Sequence, residues 1–199
     1  MKKRQRMNVM SLILATVCTC VFSADAQDKA PAIPDSSIAA LETKIRDQIK
    51  GPSAARKNLA FRRVIREAES LIKKHPSASN RYEALSILFR SQQLLVSLDN
   101  SVTNRDAFLA TSEKLAAAPN EYAAIRLDAD LLLTQARSAR QGGDSHARSD
   151  ALRPLVKRYQ DTEVEAKVIR IAMIMALEFG NNRLVNDLRK VIAERLPGD

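Results

Sequence analysis

VEAKVIRIAMIMALEF, residues Val164–Phe179, is the stretch that decides how the rest of the chain is read. After Lys167 its only charge before Glu178 is Arg170. A helix apolar on nearly every side is the pattern of an element buried among others. Thr162 and Glu165 in front of it have the spacing of a capping box, and Gly180-Asn181-Asn182 stops it. The expectation is a central helix with other helices stacked on both sides.

Working outward, the chain keeps the same periodicity. A helix over 184–196 carries Leu184, Leu188, Ile192 and Leu196 as its stripe. On the other side come expected helices over 149–159, 121–140, 104–118, 80–98, 54–74 and 36–50. Pro154 either lies in the first turn of its helix or bends it. The 121–140 helix ends at Gly142-Gly143, the 104–118 helix at Pro119, and the 54–74 helix at His75-Pro76, because a residue before proline avoids the α region. Asn80 with Glu83 reads as a second capping-box pair. Glycine is scarce, and no run alternates apolar and polar residues between turn signals, so no sheet is expected. The fold class is all-α, with about eight helices.

The turns recur. Leu71–Ser77, Leu115–Asn120, Leu155–Asp161 and Val191–Gly198 can be laid over one another as helix ends followed by small, polar or proline turns. The spacing is 43 residues from Pro76 to Pro119, 41 from there to Gln160 and 37 from there to Pro197. Each interval holds two helices, the signature of hairpin units stacked as a short solenoid. At Ala176-Leu177-Glu178-Phe179-Gly180-Asn181-Asn182, the following helix and the closing Pro197-Gly198-Asp199, the chain resembles the tetratricopeptide-like repeats of bacterial envelope proteins. The turns at 74–79 and 158–162 look like those between such repeats, and the resemblance covers roughly 54–199. It implies binding of a protein or peptide in a groove lined by the first helix of each unit, here 80–98, 121–140 and 162–179. The polar residues assigned to that groove are Arg81, Arg90, Gln93, Arg126 and Arg137.

Met1–Ala26 reads as a secretory signal peptide. Lys2, Lys3, Arg4 and Arg6 precede an apolar run from Met10 to Phe22, and Ala24-Asp25-Ala26 fits the cleavage pattern. The run is short for a membrane span of roughly 20 residues. Residues 27–35, with Pro31 and Pro34, read as a disordered tether before a repeat domain over 36–199. Cleavage removes Cys18 and Cys20, leaving a thiol-free chain without a disulfide, a thiolate nucleophile or a cysteine metal site. It also removes four basic residues and one acidic one, so a net charge of +9 falls to +6. That modest excess favours acidic partners. The expected location is periplasmic or secreted.

Little in the chain points to catalysis. His75 and His146 do not form a helical ligand pair, so neither a metal nor a cofactor is expected. Asp144, Ser145 and His146 are adjacent and point apart, which is no triad. Asp128 and Asp130 would project about 160° apart on a helix, and Arg126 with Asp130 reads as a surface pair four residues apart. Arg62, Arg63, Arg66, Lys73 and Lys74 could face phosphates, but few aromatics accompany them and no nucleic-acid partner is expected. The expectation is an exported adaptor or scaffold that binds another envelope or secreted protein. The alternatives are a helical enzyme acting on cell-wall glycan, which needs two carboxylates in one cleft, and a structural module that assembles with itself.

Overall fold

The computed structural model describes residues 31–49, 53–140 and 145–196. The signal-peptide reading of Met1–Ala26, the Gly142-Gly143 stop and the closing Pro197-Gly198-Asp199 lie outside these residues. Among the described residues every regular element is helical. The order is α1 (Asp35–Ile49), α2 (Ala54–Lys74), α3 (Arg81–Leu98), α4 (Val102–Ala116), a 3-10 turn (Asn120–Tyr122), α5 (Ala123–Arg140), α6 (Ser145–Asp150), α7 (Leu152–Arg158), α8 (Glu165–Glu178) and α9 (Asn182–Arg195). Sequential helices pack on one another, α1 on α2, α2 on α3, α3 on α4, α4 on α5, and α8 on α9. The fold is therefore all-α, a row of stacked helices in a repeat-like arrangement.

One expected helix divides in two. Residues 149–159 are not continuous, because α6 ends at Asp150 and α7 begins at Leu152. Pro154 is the third residue of α7, in the first turn, where its missing N–H has no intrahelical acceptor to lose.

The centre of the array is not where the sequence places it. α3 packs against α1, α2, α4 and α5 and buries residues around much of its circumference, from Ala84 and Leu85 to Gln92 and Leu95. α8, the most apolar stretch, packs chiefly between α7 and α9. It leaves Ile174 57% and Leu177 52% exposed. Hydropathy measures what a helix would gain by burial; the number of neighbours it meets is set by its place in the row.

Both capping boxes also resolve differently. The Asn80 side chain makes no hydrogen bond to the start of α3. Its Oδ1 accepts from the Ile33 amide at 2.8 Å and its Nδ2 donates to the Ile33 carbonyl at 2.9 Å. Ile33, placed by composition in the disordered tether, is 1% exposed. The ordered chain thus reaches back ahead of α1, because one buried isoleucine, worth about 1.5–3 kcal/mol, is clamped by two hydrogen bonds. Glu165 reaches back to the amide of Asp161 rather than Thr162, while the Thr162 hydroxyl donates to the Tyr159 carbonyl.

Two apolar cores fill the array. The first runs from Ile33 through α1–α4, and the second joins α7, α8 and α9. α5 serves both, with Ala129 in the first and Ala123 and Leu127 in the second. The turns that recur in the sequence are joined in space. The Tyr122 hydroxyl donates to the Ser79 carbonyl at 2.7 Å, 43 residues away. Arg158 donates to the Ala116 carbonyl, 42 residues away. Arg195 pairs with Asp161 at 2.6 Å, 34 residues away.

Candidate binding groove

Stacked turns bring helix ends together. α2 carries Lys73 and Lys74 in its last turn and α4 carries Lys114 in its last turn, where a cation complements the helix dipole. When the two turns stack, Lys73 and Lys114 line one groove. Its volume is about 520 Å³, and it is lined by Ile72, Lys73, Pro76, Arg81, Tyr82, Leu85, Lys114 and Ala117. Among the described residues, those lining it include three cations and no carboxylate. Its floor is apolar, from Ile72, Leu85, Pro76 and Ala117.

One wall is aromatic. Arg81 donates to the Pro76 carbonyl at 3.0 Å and to the Tyr82 hydroxyl at 2.9 Å, with its guanidinium carbon 4.8 Å from the Tyr82 ring centroid. Tyr82 packs on Tyr122 with centroids 5.2 Å apart. Burial first, and then Glu83, Glu121 and Tyr82, push the Tyr122 phenol up. It stays protonated and keeps its hydrogen bond to Ser79.

The structure does not gather the five residues assigned from the sequence. Arg81 lines the groove. Arg90, nine residues on and so half a turn around α3, lines a smaller hollow of about 140 Å³ with Glu42, Ile45, Arg46 and Ile49. Gln93 is exposed on α3. Arg137 lines a third hollow of about 210 Å³ with Asp130, Thr134, Ala151, Pro154, Leu155 and Arg158. Tyr82 and Lys114 were not singled out for a site, and Lys73 was read only as part of a phosphate-facing stripe. The signal for them was present: a lysine in the last turn of α2 and another in the last turn of α4, before turns whose prolines are 43 residues apart.

Arg126 is withdrawn from any partner surface. It is 3% exposed, and the surface pair it forms on paper with Asp130 is an interior one. Its Nη1 donates to the Ala118 carbonyl at 2.7 Å and its Nη2 to Asn120 Oδ1 at 2.9 Å. Its guanidinium carbon lies 4.9 Å from the Tyr159 ring centroid. Asp130 accepts from the Tyr159 hydroxyl at 2.7 Å and from Arg158 Nη1 at 2.8 Å. The cluster ties the α4–α5 turn to α5 and the end of α7. Asp128, two residues away, is exposed, so the two aspartates do face apart.

Among the described residues, the buried carboxylates are those of Asp130 and Glu165. Glu165 Oε2 accepts from the Asp161 amide at 2.7 Å, and Glu165 Oε1 from Arg195 Nε at 2.9 Å. Asp161, at a φ of 61°, shares the same arginine. Hydrogen bonds to Glu165 and then Asp161 push the Arg195 guanidinium further up, and the three side chains clasp the α7–α8 turn to α9. Among the described residues no group of three or more His, Cys, Asp or Glu side chains could hold a metal ion, and no helix is long and apolar enough to cross a membrane. No protein-family model, curated protein or solved structure matches the chain.

Proposed function

We propose that this chain is an exported, tetratricopeptide-like adaptor that binds an acidic segment of another envelope or secreted protein and catalyses nothing itself. The observation that carries the reading is the groove between the ends of α2, α3 and α4, an apolar floor rimmed by Lys73, Arg81 and Lys114. A pocket of a few hundred cubic ångströms with a few convergent polar groups is the usual shape of a recognition site. Its floor suits one or two apolar side chains of an extended peptide or a helix end. Its rim suits the carboxylates beside them, with the Arg81 guanidinium held in place by Pro76 and Tyr82. The N-terminal sequence pattern supports the exported location.

The test uses labelled peptides that place acidic, neutral or basic residues around a Leu-Phe anchor, titrated with the full chain and read by fluorescence anisotropy. The acidic peptide should bind best and weaken as salt rises. Lys73→Glu with Lys114→Glu should weaken it at least about tenfold while the circular dichroism of the helices is unchanged. A basic peptide that binds as well as the acidic one, or a double variant that binds normally, would reject the groove as the site.

A further inference from the structure

α2 and α4 both pack on α3 and do not pack to any similar extent on each other. A second hollow, of about 170 Å³, is lined by these same three helices, through Arg66 and Glu69 of α2, Gln92 and Leu95 of α3 and Asn104 of α4. It lies in line with the groove of Lys73, Arg81 and Lys114. From one to the other is eleven residues on α2 (Arg62 to Lys73), eleven on α3 (Arg81 to Gln92) and ten on α4 (Asn104 to Lys114). At about 100° per residue, Arg62, Arg66, Glu69 and Lys73 fall within about 60° of one another, and Arg81, Leu85, Gln92 and Leu95 within about 80°. The two hollows thus share one face of α2 and one face of α3. They are separated by roughly 16 Å, the reach of about five residues of extended chain.

The second hollow contains an unpartnered polar group. Gln92 is 4% exposed, and its buried Oε1 has no hydrogen-bond partner among the described residues. A buried acceptor left unpaired is costly. The last torsion of a glutamine is broad, so a small turn presents the amide to whatever enters the hollow. The charges there select no sign. Arg62 is paired with Asp99 at 2.9 Å, and Arg66 and Glu69 bring one cation and one anion. What the hollow asks of a ligand is an N–H, with Ile65 and Leu95 offering apolar contact beside it.

We propose that this hollow is a second subsite of the same groove, where Gln92 accepts a main-chain N–H of the bound segment about five residues from its acidic anchor. The inference rests on the reading of the groove as a site for an acidic segment. A peptide group suits Gln92 because every residue but proline carries that donor, and the side-chain amide can return a hydrogen bond to the neighbouring carbonyl. The basic end fixes where the segment binds. The Gln92 end holds its extended continuation without demanding a particular side chain.

Fluorescence anisotropy with the full chain compares the acidic Leu-Phe peptide with versions lengthened by about six uncharged residues on one side or the other. One lengthened version should bind at least about fivefold more tightly than the short peptide. That gain, unlike the binding of the anchor, should not fade as salt rises. Gln92→Leu should erase the gain while leaving the short peptide within about twofold and the helices intact, since it removes an unpaired acceptor rather than a bonded one. N-methylation of the amides in the extension should erase it too. A gain that survives Gln92→Leu or N-methylation, or no gain at either end, would overturn the subsite while the short peptide's binding upholds the groove. A short peptide that fails to bind would overturn the groove reading and this subsite with it.

Discussion

The buried Tyr159 phenol donates a hydrogen bond to Asp130, and three separate effects act on that proton. Burial raises the pKa most, the hydrogen bond to Asp130 and its negative charge raise it further, and Arg126 lowers it. The balance holds the phenol well above its ordinary value of 10.0. Below about pH 10 the phenol is protonated in both folded and unfolded chains, and its contribution to stability is fully present. Above that value the unfolded chain loses the proton and the folded chain keeps it, so stability falls as the pH rises. Of the three tyrosines, Tyr159 should therefore form phenolate, read by absorbance near 295 nm, only as the helical signal is lost. Tyr159→Phe should flatten the alkaline slope while costing about 1–3 kcal/mol at neutral pH. Reversible ionisation of all three phenols with helicity intact would show that the Asp130 site admits water. The same surroundings explain why Arg126 could not be read as buried. Nothing in its sequence neighbourhood reveals that Ala118, Asn120 and Tyr159 will close over it.

At the scale of elements, the helices were largely legible. The periodic pattern places α2 over 54–74 and ends α3 at Leu98, as observed, because stripes at spacings of three and four are a local property. Helix starts were less legible, since an asparagine at the right spacing has two uses. Asn80 spends its side chain on Ile33, 47 residues away, and a local rule cannot see that acceptor or that donor. The two uses give opposite outcomes for Asn80→Ala. As an anchor, its loss strands the part-buried amide and carbonyl of Ile33, costs about 1–3 kcal/mol, and lowers amide-exchange protection in α1. As a cap, its loss would fray the first turn of α3 and leave α1 unchanged. Exchange measured separately for 35–49 and 81–85 decides between them, and the geometry predicts the first. The groove was half-legible for a related reason. Arg81 could be chosen from its position on a helix, whereas Lys73 and Lys114 become neighbours only when turns 43 residues apart stack.

Across the whole molecule, α5 is the element on which both cores depend. Leu127, fully buried, faces the second core, while Ala129 on the same helix faces the first. Arg126 and Asp130, which hold Tyr159 at the end of α7, lie on the same stretch of α5. In a row of stacked units an end can open without the rest, because each unit is held mainly by its neighbours. Two truncations of equal chemistry should then behave differently. Leu127→Ala and Leu184→Ala each remove a wholly buried side chain, with an expected cost of about 2–5 kcal/mol. Leu184 belongs to α9, the last described helix, so its truncation should lower exchange protection in α8 and α9 and leave α2–α4 close to normal. Leu127 sits at the join, so its truncation should lower protection on both sides of α5 by a similar amount. If Leu184→Ala instead depresses α2–α4 as strongly as α9, the two cores unfold as one unit. The Arg126 cluster would then be a rigid coupling between them, and its buried charges would serve cooperativity as well as the local geometry of the turn.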